Sequence, residues 1–425
     1  MTQIYDVGDV IIPDNKIMLR SFDKTREFNI YNFVRSIDIY ESLTNYTVSA
    51  DIYIAEGVEL INNFKMAGEE RVTITFQTPG REEITYEFLV SKIDAQRSND
   101  MGNLKSYVLR CVTEDLLINS FKTFSKRYKD KPYKQALEEV IQTDLGSTVG
   151  ELNVENTEGK FDLVVNHVRP FQVVDLITEK AVSAQYKSSI FFFYQDNKGY
   201  NFTTLEKLIA DRKPAAKNLT FVYETANRTG DYEKVINVRN IITYDTITQG
   251  SAIEKVKSGG MRMRVYEFDI RTGEYYNNQE YNNKDDGKVY KSLDGSSDHN
   301  SEAFNNYVTA MPAVQSMVVK DSTRPDMKHN ENIHWKRPFV DKIANYTLRT
   351  RVYGDTTIRV GDVVTMNIPN IFGGDGNEAK ENQEIYSGEY IIFNLKHRLD
   401  KGPSGEFEHY MIFESKKTSI LKDIG

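Results

Sequence analysis

The stretch Val34–Pro79, "VRSIDIYESLTNYTVSADIYIAEGVELINNFKMAGEERVTITFQTP", decides how the chain is read. Within it, "NYTVSADIYI" places Tyr46, Val48, Ala50, Ile52 and Ile54 on one side of an extended segment, the period-two pattern of a half-buried strand. "RVTITFQTPG" repeats the pattern, with Val72, Ile74 and Phe76 inward and Arg71, Thr73 and Thr75 outward, and stops at the turn pair Pro79-Gly80. Between them "AEGVELINNF" has too few residues for a full helix and reads as a short helical or looped crossover. Two alternating strands joined this way need further strands to complete a sheet.

The sequence supplies them. "ITYEFLVSKIDAQ" is placed as the hairpin partner of the strand ending at Pro79, and "LKSYVLRCVTEDLL" follows the turn-like "SNDMGN" as one more strand. Short strands with regular turn signals predict a sandwich or barrel over roughly the first 120 residues.

Beyond Lys122 the period lengthens. "DKPYKQALEEVIQTDLG" sets Ala136, Leu137, Val140 and Ile141 on one stripe, with Pro132 near its start and Gly146 at its end, which predicts a helix. "PFQVVDLITEKAVSAQY" does the same with Pro170 in the first turn and Val173, Val174, Ile177 and Ala181 in the stripe. Four aromatics in "SSIFFFYQDNKGYNFTTLEKL" then point to both faces of a strand, so both faces must be covered, one of them by the helix before it. "LTFVYETANRTGDYEKVINVRNIITYDTI" and "GGMRMRVYEFDIRTGEYY" resume strand character. Residues 275–335, with nine Asn between Asn277 and Asn332, read as a long loop or extended arm.

The end of the chain is again β. In "DTTIRVGDVVTMNIPN", Ile358, Val360, Val364, Met366 and Ile368 lie near one face. In "SGEYIIFNLKHRL", Ile391, Phe393, Leu395 and His397 share a face opposite Tyr390, Asn394, Lys396 and Arg398, and "EFEHYMIFES" closes on it as a hairpin across "DKGPSG". The expected fold is mainly β, α+β overall: two antiparallel β-barrel domains with an α+β insert between them. Residues 1–120 form the first barrel; 121–218 with 250–335 form the middle domain and its Asn-rich arm; 219–249 with 336–425 form the second barrel.

Bulk properties narrow the function. With 425 residues the chain has length for two to four domains, and 39% apolar residues give them cores. No apolar run approaches the ~18–20 residues of a bilayer span, so no direct membrane insertion is expected, and the N-terminus lacks a signal-peptide pattern. A net charge of −8 opposes sequence-independent nucleic-acid binding. The single Cys111 excludes an intramolecular disulfide and a cysteine metal cluster, and its place on an alternating strand makes it a small core residue.

Each chemical candidate has a plainer reading. "DNKGY" offers one glycine and a following strand, so Gly199 reads as a hairpin-turn residue and not as a phosphate loop. "SGG" at 258–260 and "IFGGDGN" at 371–377 lack the Lys-Ser/Thr of a P-loop. His329 and His334 are five apart without a third ligand, His397 falls on an apolar strand face as a core histidine, and His167 precedes a helix. "NNKDDGKVY" does not match a calcium loop: counted back from Gly287, Asn282 stands where the first Asp ligand belongs and Lys284 where the second ligand belongs, so it reads as a solvated loop. The neighbours Glu69-Glu70, Glu82-Glu83 and Glu138-Glu139 are ill placed for shared acid–base work. No catalytic residue, cofactor site or metal site is therefore assigned, and the chain is not expected to be an enzyme.

The order of these segments, with their residues, resembles the central baseplate hub protein of contractile-tailed bacteriophages. Val34–Pro79 is similar to that family's first tube domain, although Glu69 in Gly68-Glu69-Glu70 departs from its G-[ND]-E turn. "PFQVVDLITEKAVSAQYKSSIFFFYQDNKGYNFTTLEKL" resembles its middle domain, and "VYGDTTIRVGDVVTMNIPN" with "SGEYIIFNLKHRL" its closing segment, a pattern shared with type VI secretion spike proteins. The resemblance spans most of residues 15–420. It implies a structural virion protein: a homotrimer whose paired tube-like barrels make a pseudo-sixfold ring joining the hexameric tail tube to the trimeric central spike. It implies further a DNA channel without specific DNA binding, contacts with baseplate wedge proteins, and a place in the phage tail baseplate after assembly in the host cytoplasm. A tail-tip peptidoglycan hydrolase and another tail-tube or baseplate component are the alternatives.

Overall fold

Alternation becomes pairing in the computed structural model, which describes residues 6–98, 104–186, 188–216, 218–223, 238–249, 262–282, 314–320, 346–369 and 386–418. The first third holds β1 (Ile17–Arg20), β2 (Glu27–Asn29), β3 (Val34–Ser42), β4 (Ser49–Glu56), α1 (Leu60–Phe64), β5 (Arg71–Gln77), β6 (Glu83–Ser98) and β7 (Lys105–Val112). The middle holds α2 (Glu114–Phe121), β8 (Phe124–Pro132), α3 (Tyr133–Glu139), β9 (Glu151–Val154), β10 (Thr157–Glu158), β11 (Lys160–Val168), α4 (Pro170–Lys180), β12 (Val182–Ser183), β13 (Phe191–Gln195), β14 (Gly199–Thr204) and α5 (Leu205–Ala216). Then come β15 (Thr220–Val222), β16 (Ile241–Gln249), β17 (Arg262–Asp269), β18 (Tyr275–Asn282), β19 (Val314–Lys320), β20 (Tyr346–Tyr353), β21 (Val363–Asn367), β22 (Gly388–Lys401) and β23 (Phe407–Lys417). The protein is mainly β, with antiparallel pairing dominant.

Thirteen strands share one sheet, in the order β16-β20-β23-β22-β3-β4-β7-β6-β5-β1-β2, with β21 attached to β22 and β15 to β21. The two regions expected as separate β units are thus continuous. β3 of the first pairs antiparallel with β22 of the second over seven residue pairs, from Asn394↔Ser42 to Asp400↔Ser36. Each side keeps its own core. Val48, Ala50, Ile52, Ile54, Val72, Ile74 and Phe76 pack in the first, and Ile358, Val360, Val364, Met366, Ile368 and Leu395 in the second. A third core, built on α3, α4 and the β9-β14-β13 sheet, belongs to the middle region.

The aromatic run sits where two of these cores meet. Phe191 and Phe193 enter the middle core beside α4, while Ile190 and Tyr194 enter the second, with Phe192 set edge-on to Phe393 at 5.7 Å. Both strand faces are covered, and β13 is therefore the weld between the middle region and the second β half.

Several expectations need correction. "LKSYVLRCVTEDLL" is a strand only to Val112; Thr113 then takes the extended N-cap conformation and Glu114 and Asp115 favour a helix first turn, so α2 begins there. The helix at 133–145 changes pitch, from α in Tyr133–Glu139 to π in Val140–Leu145, before Gly146 ends it at φ 78°. Tyr46 does not join its own strand's core; it stacks on Phe171 at 4.8 Å and its hydroxyl donates to Asp175 at 2.5 Å, tying the first β half to α4. Tyr390, expected on the polar face of its strand, is fully buried: Tyr390, Ile391, Ile392 and Phe393 all belong to the second core, so both faces of β22 are covered there, and a bulge between Ile392 and Asn394 interrupts the alternation. The Asn-rich stretch is not all loop: β18 and β19 lie within it and flank β17 in a separate three-stranded sheet.

Candidate functional site: the seam between the halves

Glu41 occupies the third inward position of β3, after Ile37 and Ile39, where alternation calls for an apolar side chain. It is 1% exposed. The Tyr86 hydroxyl donates to its Oε1 at 2.7 Å and the Val360 N–H to its Oε2 at 3.3 Å. One carboxylate thus touches β3, β6 and the loop before β21. Burial pushes the Glu41 carboxyl up to about 7, against the pull of the Tyr86 hydrogen bond and with the charge of Asp196 adding to the rise.

Asp196 brings in the turn after the aromatic strand. Its Oδ1 accepts the Lys198 and Gly199 N–H groups at 2.9 and 3.1 Å, and its Oδ2 meets Arg359 Nη1 at 3.3 Å. Asp362 accepts the Arg359 N–H at 2.9 Å and Arg212 Nη1, from α5, at 2.7 Å. Two guanidinium groups therefore answer two aspartates, and Glu41 is a fifth group left unmatched in charge. Its neutral form fits the seam better than its ionised form.

A second cluster lies further along the seam. His397 on β22 and His409 on β23 face each other with Nδ1 and Nε2 3.0 Å apart, both 1% exposed or less. Phe76 sets its ring at a steep angle to both, at 6.0 and 5.3 Å. Burial depresses both histidines, His397 to about 4 and His409 well below its usual value with the neighbouring His397 charge adding to it. A Cβ on Gly354 would lie 2.0 Å from the His409 ring, so only glycine fits there. Alongside, fully buried Asp355 pairs with Arg239 at 2.9 Å, and Thr78 and Thr356 exchange hydrogen bonds between the halves. The N-terminal lead is held to the same place, since the His409 N–H donates to the Gly8 carbonyl at 2.7 Å.

The residues singled out in the sequence scatter around this seam. His397 is a core histidine as expected. His167 is exposed, at φ 51° near the end of β11, three residues before α4. Cys111 is buried in the first core, and burial raises its thiol pKa. Of the acidic neighbours, Glu69 is solvent-facing while Glu70 is 4% exposed and its carboxylate accepts the N–H groups of Ala67, Gly68 and Glu69. Glu139 pairs with Lys126 and Lys131. His329, His334, Lys284, Gly287 and the glycine stretches 258–260 and 371–377 lie outside the described residues.

Gly199 is more than a turn residue. It opens β14 at φ 148°, where β14 runs parallel to β9, and a Cβ there would lie 2.1 Å from the Glu151 carbonyl oxygen. The turn it belongs to also walls a cavity of about 290 Å³ against the β5–β6 hairpin, lined among others by Arg71, Glu87, Glu114 and Lys198. Its charges are mixed, and Arg71 is taken up by Glu114 at 2.5 Å.

Sequence reading missed Glu41, Asp196, Arg359, Asp355 and His409. A carboxylate in an inward strand position was the available signal for Glu41; Asp196, Arg359 and Asp355 depend on partners more than a hundred residues away, and His409 pairs with His397 twelve residues earlier across the β22–β23 hairpin. Glu41 and Glu206 have carboxyls raised to about 7, both by burial, but they are 1% and 7% exposed and face packed protein instead of an open cleft. Among the described residues, no group of three or more His, Cys, Asp or Glu is placed to hold a metal ion, and no helix is long and apolar enough to cross a membrane.

No protein-family model matches the chain. It is 21% identical over 412 residues to the probable baseplate hub protein gp334 of Vibrio phage KVP40, covering 91% of this chain and 90% of that one. In three dimensions it is similar to the tail protein of Neisseria meningitidis MC58, with TM-score 0.56 and 11% identity over 95% of this chain and 97% of the other. The 43 kDa tail protein of prophage MuSo2 from Shewanella oneidensis gives TM-score 0.52 and 10% identity over 96% and 99%. The chain is thus similar, along nearly its whole length, to a probable phage baseplate hub protein, and it has the fold of phage tail proteins.

Proposed function

We propose that the chain is the structural subunit of a trimeric baseplate hub. In this reading each chain supplies two tube-like β units, residues 1–120 and 219–249 with 336–425, and three chains present six such units in a ring. The ring joins a hexameric tail tube on one side to a trimeric central spike on the other, and its bore forms part of the path of the DNA. Contacts with wedge proteins, a place in the virion tail, assembly in the host cytoplasm and the absence of catalysis belong to the same reading.

The observation that carries it is the seam. Two β halves with separate cores are fused edge to edge through β3 and β22 and locked by Glu41, Asp196, Arg359 and the histidine pair. A rigid pair of units per chain is what a threefold ring needs to meet a sixfold one, and heterologous contacts between such chains can close at three copies. Native mass spectrometry of the purified protein tests this: a trimer is expected, and a protein that stays monomeric at micromolar concentration, or closes with six copies, contradicts it.

A further inference from the structure

Residues 121–134, "FKTFSKRYKDKPYK", carry six basic side chains and one acidic, a net +5 in a chain whose total is −8, so the other residues carry −13. They include β8, which pairs with β11 in a two-stranded ribbon that, among the described residues, has no third strand. The ribbon sorts its charges by face. Lys126 and Lys131 turn inward, Lys126 to Glu139 and Asp144 and Lys131 to Glu139. Outward stand Arg127, whose side chain is 59% exposed and pairs loosely with Asp162 at 3.9 Å, and the exposed Lys129 at the next position on that face. Lys160, exposed at the start of β11, extends the patch.

One large apolar side chain lies among these cations, and a second, close in sequence, is exposed as well. Val164, directly across from Arg127, is 67% exposed, and Phe121, at the end of α2 just before β8, is 80% exposed. Lysines along an open strand edge discourage indiscriminate pairing, but a bare valine among them works against that purpose. Exposed apolar groups ringed by Arg and Lys are the composition of a protein interface. A phosphate backbone would answer the cations and leave Val164 and Phe121 in water.

We propose that the outward face of the β8–β11 ribbon, centred on Arg127, Lys129 and Val164, is a docking surface for an acidic segment of a partner protein. This goes beyond the hub reading and does not depend on it. The charge complementarity supplies orientation and on-rate, and Val164 supplies apolar area that stays dry once the partner is seated.

Fluorescently labelled poly-L-glutamate, titrated into the full chain at low salt, serves as the acidic probe. Saturable binding that weakens as salt is raised is expected. R127E/K129E should weaken it by about tenfold or more, while the charge-matched K16E/K92E, at exposed lysines elsewhere, should leave it unchanged. Circular dichroism melts of both variants matching wild type ensure that a loss is a loss of binding. Equal binding by R127E/K129E and wild type, or no binding of the probe by wild type, overturns the proposal. So does tighter binding of a duplex DNA oligonucleotide than of poly-L-glutamate through the same two residues, which would make the ribbon a nucleic-acid surface.

Discussion

Replacing Glu41 with Gln removes a seam carboxylate that, among the described residues, has no ion-pair partner, while keeping a hydrogen-bonding side chain of the same size. The Glu41 carboxyl stands at about 7 against an ordinary 4.5, so the folded protein holds this proton more tightly than the unfolded chain. A raised folded pKa contributes stability that is complete below about 4.5 and is lost as pH climbs through 7. A shift of that size corresponds to on the order of 3 kcal/mol by pH 8, or about a hundredfold in a local opening equilibrium. Hydrogen–deuterium exchange of peptides covering β3 and β22, run on wild type and E41Q at the same pH, reads the difference directly. Glu206, also near 7, and His397 titrate in both proteins, so they cancel in the comparison. Wild type and E41Q should match within about tenfold at pH 5. At pH 8 E41Q should be the more protected, by one to two orders of magnitude. A protection ratio that stays flat from pH 5 to 8 would refute the claim that Glu41 is the unmatched charge of the seam.

The histidine pair titrates in the other direction. Its folded pKa values lie below the usual 6.5, so its contribution is complete above 6.5 and is lost as pH falls toward 4; thermal melts should drop over that window, and H397F should flatten the drop. In R359A, Asp196 keeps its backbone donors but loses its cation, while Asp362 keeps Arg212, which should cost about 3–5 kcal/mol in urea unfolding; a loss under about 1 kcal/mol would mean the pair is solvated. Gly199→Ala puts a methyl 2.1 Å from the Glu151 carbonyl, so β9 must separate from β14 and soluble yield or melting temperature should fall clearly, whereas Gly80→Ala, at a turn with open space around it, should cost far less.

What the sequence makes legible follows from how local the signal is. Val72, Ile74 and Phe76 lie inward because alternation reports its own burial, and the aromatics of β13 announce two covered faces without naming the covers. His397 is recognisable as a core residue from its place between Leu395 and Leu399. Tyr390 is misread because both faces of β22 are buried at residues 390–393, whereas alternation alone assigns one of them to solvent. Gly199 is misread because the constraint comes from Glu151, on a parallel neighbour nearly fifty residues earlier. The seam is the least legible part: the Glu41–Val360 hydrogen bond spans 319 residues, and Arg359–Asp196 spans 163. Each is an ordinary loop or strand residue until β3 and β22 pair. The resemblance to hub proteins points to the kind of molecule, and the fusion of its two halves into one sheet shows only in the folded structure.

The hub reading stands most directly on how many chains close the ring. Class-averaged electron micrographs of the purified protein, with symmetry counted and mass measured on the same sample, should show a ring of three chains with six similar density lobes. A monomer, a dimer or a ring of six chains would contradict it.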